Sequence, residues 1–217
     1  MKKEVFEIVG GNKLYGKVQN YSAKNAVLPM LAGAMLTEEK VTIRDCPYIT
    51  DIHNMFKIRE ILSLNTLWEG RDIVASGKVE NNHIPERLAN VMRSSIFMLG
   101  PMLVETGDVR LHLPGGCKIG ARPIDQTLKG FKTLGATVKE EGNKFIIDAE
   151  ELKGGHVYLD MPSVGATVNT MLVAVKAKGL TIIENAAKEP EIVNVATFLN
   201  NMGAKITGAG TSTIRIS

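Results

Sequence analysis

Three stretches of the chain read as copies of one another. "LSLNTLWEGRDIVA" from Leu62, "LGATVKEEGNKFIIDA" from Leu134 and "MGAKITGAGTSTIRIS" from Met202 each run from a helix end into a strand, a glycine-containing turn and a second strand. Their starts lie 72 and 68 residues apart. Upstream of each stands a second matching segment, "AGAMLTEEKVTIRD", "LGPMLVETGDVRLHL" and "VAVKAKGLTIIEN", where an apolar helix breaks at polar residues and leads into an alternating strand with one buried face. Further upstream, helices open at "SAKNAVLPML", "MRSSIFMLGPML" and "SVGATVNTMLVAV", with a serine at or near each expected N-cap. "LYGKV" at Leu14 and "LKGGHV" at Leu152 are 138 residues apart, close to two periods. Any α/β protein alternates helices and strands, but here matching segments recur three times in one order. The unit is β-α-β-α-β-β, roughly 70 residues long.

Units this long and this rich in strands exclude a helical solenoid. They predict a mixed α/β (α+β) domain that gathers its apolar helices inside and carries small sheets outside. Three equivalent helices then direct their N-termini toward one end, where unpaired N–H groups suit an anion. Lys24 and Asn25, Arg93 and Ser94, and Ser163 with Gly165 stand at those ends. Three ordinary capped helices with solvated cations would give the same pattern, so both readings stay open.

Composition narrows the partners. With 26 Lys+Arg against 23 Asp+Glu the formal net charge is +3, too small to argue for nucleic-acid binding, though mild positive charge suits an anionic small molecule. "MKKEVFEIVGG" lacks an apolar stretch of secretory length, and no run approaches the ~18 apolar residues of a membrane span. Cys46 and Cys117 form no CxxC pair, which predicts a reduced, cytoplasmic protein. His53, His83, His112 and His156 are scattered without metal-ligand spacing, so no metal is expected. The polar runs around His83 ("NNHIPERLAN") and Glu140 read as solvated surface.

The chemistry is concentrated in "LPGGCKIGARPID", Leu113 to Asp125. Glycines give this loop mobility and close approach, and Lys118 and Arg122 near Cys117 favour a thiolate. An incidental loop thiol is the bland alternative. Cys46, in "IRDCPYITDI", reads as a small semi-buried hydrophobe.

Together with "SAKNAVLPML", "SVGATV" and "IENAAKEPEIV", this loop resembles the UDP-N-acetylglucosamine enolpyruvyl transferase family, from about Leu14 to the chain end. The sibling 5-enolpyruvylshikimate-3-phosphate synthases share the repeats but lack the cysteine loop. The resemblance implies an inside-out α/β barrel and transfer of the enolpyruvyl group of phosphoenolpyruvate to the 3-hydroxyl of UDP-N-acetylglucosamine. That is the first committed step of peptidoglycan synthesis, and it needs no metal or organic cofactor. By position, Cys117 matches the proton donor to the methylene carbon, the thiol that fosfomycin alkylates in sensitive members. Lys24 and Asn25 match the pair that grips phosphoenolpyruvate, Arg122 the arginine on its phosphate, and Arg93 another substrate-binding arginine. Arg122, Pro123, Ile124, Asp125 and Gln126, with Met161, Pro162, Ser163, Val164 and Gly165, match positions around the uridine nucleotide. Phe97 and Thr127 depart from some relatives without removing a catalytic group.

Family members are about twice as long, with two similar domains around a cleft. The resemblance therefore casts this chain as the N-terminal half: residues 1–20 belong with the missing second domain, and residues 21–217 form the domain of the catalytic loop. The missing C-terminal domain would supply the aspartate base and a further phosphoenolpyruvate-binding arginine, so this chain alone is expected to be nearly inactive. Two rival readings are a non-catalytic half-domain that binds nucleotide sugar or anion, and the shikimate-pathway sibling. A thiol redox role for Cys117 is a third, disfavoured because no resolving cysteine lies near in sequence.

Overall fold

The computed structural model of the chain describes residues 5–112, 124–142 and 144–217, without the side chains of residues 111 and 112. The first unit comprises α1 (Lys24–Gly33), which continues as a 3-10 turn over Ala34–Leu36, then β1 (Val41–Ile43), α2 (Thr50–Ile61), β2 (Asn65–Glu69) and β3 (Asp72–Ser76). The second holds α3 (Glu86–Ala89), a 3-10 stretch over Arg93–Met98, α4 (Leu99–Thr106), β4 (Asp108–His112), α5 (Asp125–Thr133), β5 (Thr137–Glu141) and β6 (Lys144–Asp148). The third holds β7 (His156–Tyr158), α6 (Val164–Ala174), β8 (Thr181–Glu184), α7 (Pro190–Asn201), β9 (Ile206–Thr207) and β10 (Thr213–Ile216).

The centre is chosen by sequence. In α6 every residue from Ala166 to Ala174 is buried, as a helix that is apolar or small on all faces must be. α1 buries seven of its ten residues and α4 its first five. Around these three helices α2, α5 and α7 show one buried and one polar face; α7 opens with Pro190 in its first turn, where a missing N–H costs nothing. α5 packs on α6, and α7 on α1, so each of these outer helices leans on the inner helix of the next unit. The strands form three separate sheets in the orders β1-β3-β2, β4-β6-β5 and β7-β8-β10-β9. No ladder joins them among the described residues, so the barrel is one of packing and not of closed hydrogen bonding.

The repeats are close to superposable in sequence: α7 begins 140 residues after α2 and has the same length. Asp45 and Asn185, also 140 apart, both take positive φ, 56° and 55°, after β1 and β8. Asp and Asn tolerate that left-handed conformation better than other side chains.

The unit departs from the β-α-β-α-β-β expectation at its first strand. Only the third unit is complete, with β7 parallel to β8 and Val157 opposite Ile183. In the second unit this strand shrinks to a single parallel bridge, His83 to Arg110. In the first unit residues 5–20 form no strand and are exposed; Leu14, Tyr15 and Val18 stand in solvent.

Three local expectations are also corrected. Ala23 and Met98, not serines, precede α1 and α4; Ser95 is buried and its Oγ donates to the Ala89 carbonyl at 3.2 Å. Only Ser163 caps its helix, its Oγ accepting from Ala166 N at 3.3 Å. "NNHIPERLAN" is not merely solvated, because Ile84, Leu88 and Ala89 enter the core and Asn82 Nδ2 donates to Asp108 at 2.6 Å. Cys46 is fully buried, its thiol donating to the Ile43 carbonyl, and burial raises its pKa to about 11, so it is an inert core residue.

Candidate functional site

α1 opens with Lys24 and Asn25, both exposed. No side chain caps this end, so the first N–H groups of the helix keep their donor capacity. Lys24 Nζ donates to Asp51 Oδ2 at 2.8 Å, which ties it to the first turn of α2. Two turns along both helices a second tie is made: Arg59 Nη1 donates to the Leu31 carbonyl at 2.7 Å and its Nε to Thr66 Oγ1 at 2.6 Å. α1 and α2 therefore run side by side in the same direction. Arg59 is fully buried, and desolvation lowers its pKa to about 10. Arg93 opens the 3-10 stretch of the second unit and is half-buried.

At the other half of the candidate set, α5 and the β7–α6 connection meet. Ile124 and Gln126 are buried while Asp125 is exposed in the first turn of α5. Gln126 Oε1 accepts from Asp160 N at 2.8 Å, and its Nε2 donates to Asp160 Oδ2 at 3.0 Å. Lys129 Nζ reaches Asp160 Oδ1 at 2.6 Å and lies 5.8 Å from the Tyr158 ring centre. These donors hold the Asp160 carboxyl below its ordinary pKa, Lys129 foremost and Gln126 next. Met161 and Pro162 follow in solvent, then the capping Ser163, with Val164 and Gly165 in the first turn of α6. The structure thus brings the described part of the run Arg122–Gln126, residues 124–126, next to the segment 161–165, the two stretches that the resemblance assigns to one nucleotide.

Two open grooves flank these helix starts. One of about 360 Å³ runs along α5, lined by Asp125, Lys129 and Lys132 among others. One of about 420 Å³ lies between α1, β1 and α7, lined by Ser22, Ala26, Arg44 and Asn194 among others. Cys117, Lys118, Arg122 and Pro123 lie outside the described residues. Among the described residues no group of three or more His, Cys, Asp or Glu is placed to hold a metal ion, and no helix is long and apolar enough to cross a membrane.

Sequence reasoning missed Asp51, Lys129 and Asp160. Asp51 carried one faint signal, an acidic residue in a helix first turn; the other two read as ordinary surface charges, and only tertiary proximity gives them a role.

This arrangement, three helix-centred units with cations and amide groups at helix starts, defines an enolpyruvyl transferase fold. The enolpyruvyl transferase NikO from Streptomyces tendae superposes with a TM-score of 0.82 at 20% identity, covering 95% of this chain and 49% of that one. EPSP synthase from Acinetobacter baumannii gives 0.72 at 16% identity. The family model for EPSP synthase (3-phosphoshikimate 1-carboxyvinyltransferase) matches residues 8–217, and the chain belongs to that family. Within it, UDP-N-acetylglucosamine 1-carboxyvinyltransferase 2 of Carboxydothermus hydrogenoformans is 51% identical over 99% of this chain and 51% of its own length. The protein of the same name from Staphylococcus aureus is 44% identical over 100% of this chain and 52% of its own. The chain spans about half the length of these relatives.

Proposed function

We propose that the chain is the catalytic-loop half of a UDP-N-acetylglucosamine enolpyruvyl transferase acting in the cytoplasm in peptidoglycan synthesis, and so in cell-wall growth, cell shape and division. The observation that carries this reading is the 44–51% identity, over nearly the whole chain, to relatives bearing that enzyme's name. The sibling shikimate-pathway reading loses on the same ground, since the structures of that enzyme type are only 16–17% identical.

Each residue type suits its role. Phosphoenolpyruvate carries a phosphate and a carboxylate, so Lys24, Asn25, Arg93 and Arg122 converge charge and amide donors on it. Cys117 gives its thiol proton to the methylene carbon as the sugar 3-hydroxyl oxygen bonds to the neighbouring carbon, and the hydroxyl proton passes to the aspartate of the missing half. A proton then returns from the new methyl group to the Cys117 thiolate as the C–O bond to phosphate breaks, which restores the enolpyruvyl double bond and the thiol. Ile124 to Gln126 and Met161 to Gly165, with Arg122 and Pro123, hold the nucleotide. Domain closure completes the site, so this chain alone has little turnover.

Residues 1–20 pair with the missing domain in this reading, and residues 21–217 stand as one unit. The exposed apolar side chains of residues 5–20 support that division. Deleting residues 1–20 should shift the melting temperature by less than about 2 °C, since residues 5–20 are all exposed.

The test of function is intact-mass labelling with fosfomycin, with and without UDP-N-acetylglucosamine, beside calorimetry with the nucleotide sugar alone. A single adduct on Cys117, faster with nucleotide sugar, is expected. Nucleotide-sugar binding without an adduct would leave only a non-catalytic binding half-domain, and neither signal would end the proposal.

A further inference from the structure

We infer that Gln126, Asp160 and Lys129 form a clasp that sets the spacing of the two nucleotide-holding segments before ligand arrives, with Gln126 as the positioning residue. The inference rests on the nucleotide reading given above. Its starting point is an asymmetry in the site. Gln126 is 7% exposed, yet its amide spends no bond on its own helix backbone. Both ends of that amide go to one residue 34 positions away: the oxygen accepts from the Asp160 main-chain N–H, and the nitrogen donates to the Asp160 carboxylate. A side-chain amide used at both ends fixes distance and rotation together, as a single contact does not. Lys129, one turn later on α5, takes the second carboxylate oxygen and brings the charge that keeps Asp160 ionised.

The consequence is directional. Asp160 immediately precedes Met161, Pro162 and the capping Ser163, so the clasp determines where α6 begins relative to α5. Leu159 before the clasp is held by Asn185 and the Glu184 carbonyl, and Ser163 after it is bonded into α6, whereas Met161 and Pro162 between them are exposed, with 58% of the Met161 surface open. A ligand spanning both segments then meets them already spaced and does not bear the ordering cost. Met161 stands at the rim that the clasp positions.

The experiment is calorimetric titration of the chain with uridine diphosphate at pH 7.5 and pH 5.5. It compares wild type with Gln126→Leu, Gln126→Glu and Lys129→Met. Gln126→Leu removes both bonds to Asp160, together with the longer one from Nε2 to Asp125 Oδ2 at 3.2 Å, and should weaken binding about tenfold, the effect of losing one buried bond to a charged group. Gln126→Glu keeps an acceptor for the Asp160 N–H but opposes two carboxylates at about 3 Å, so one of them takes up a proton as pH falls. Its deficit against wild type should therefore shrink at pH 5.5, while that of Gln126→Leu stays constant. A purely structural role would not produce that pH-dependent rescue. Lys129→Met, at an exposed position, should fold normally and bind about threefold more weakly, and it carries the test if the Gln126 variants do not fold. Equal affinity of wild type and all folded variants at both pH values would overturn the clasp and leave the nucleotide reading intact. No binding by wild type would overturn the nucleotide reading, and the clasp's role with it.

Discussion

The ammonium of Lys24 and the carboxylate of Asp51 lie 2.8 Å apart across the first turns of α1 and α2, and two turns later Arg59 of α2 donates back to the Leu31 carbonyl of α1. The cation proposed to grip an anionic substrate is thus already paired with an internal anion, and in that proposal substrate displaces Asp51 or shares Lys24 with it.

Asp51→Asn tests this. The pair is 46% and 35% exposed, so its loss should change stability by less than about 1 kcal/mol. Phosphate or phosphoenolpyruvate should bind severalfold more tightly to the variant, because the competing carboxylate is gone, and the gain should fade with added salt. Unchanged or weaker anion binding in calorimetry at low salt would show that Asp51 does not compete for Lys24.

The sequence repeat exposes a second site, at the turn that ends each outer helix. Gly135 and Gly203 take positive φ, 100° and 105°, after α5 and α7, and the corresponding residue after α2 is Ser63 at 68°. A side chain in this region costs about 1–2 kcal/mol, partly offset by the extra freedom glycine has when unfolded. Ser63→Gly should therefore stabilise the chain by about 0.5–1 kcal/mol and raise the melting temperature by about 1–3 °C. The one bond lost is a long contact from Asn81 at 3.4 Å, and Asn81 keeps the Ile61 carbonyl at 2.7 Å. A lower melting temperature would mean that the Ser63 hydroxyl matters more than its backbone strain.

That turn shows what sequence could reveal. "LSL", "LGA" and "MGA" align by eye because a helix end needs the same backbone in every unit, and local chemistry repeats with it. The missing first strand was hidden because "LYGKV" and "LKGGHV" match in local sequence, whereas only the second lies beside a partner strand, β8, with which to pair. The Gln126–Asp160 clasp was hidden for a similar reason. A glutamine in a helix first turn and an aspartate after a strand carry no mutual signal across 34 residues until α5 packs on α6. Elements follow from periodicity, whereas partners follow from packing.

Glu151 gives a prediction in pH. Lys178 and then Lys153 hold its carboxylate, at 2.8 and 2.9 Å, and lower its pKa from 4.5 to about 2. A depressed carboxylate pKa means the unfolded chain binds the proton first, so the stabilisation is complete above pH 4.5 and is lost as pH falls toward 2. The melting temperature of Glu151→Gln should lie below that of wild type at pH 6, and the gap should close on acidification through that window. The Glu151 side chain is solvent-exposed, so added salt should also narrow the gap. A gap independent of both pH and salt would assign the effect of Glu151 to packing.

The contact of α5 with α6, on which the candidate site depends, turns on Gly130 and Thr170. A Cβ at Gly130 would lie 2.2 Å from Thr170 Oγ1, and Thr170 is fully buried with no hydrogen-bond partner for that hydroxyl among the described residues. Gly130→Ala should therefore cost about 1–3 kcal/mol as an overpacked core does, despite the gain in helix propensity. In a Thr170→Ala background only the Cβ at position 170 remains, at 3.4 Å, an ordinary contact, and the same substitution should cost less than about 0.5 kcal/mol. The coupling from a denaturant double-mutant cycle should thus exceed about 0.5 kcal/mol. Additive effects would mean that α5 shifts along α6 to absorb the methyl group. Uridine diphosphate affinity would then fall in Gly130→Ala, because the spacing of Gln126 and Asp160 moves with the helix.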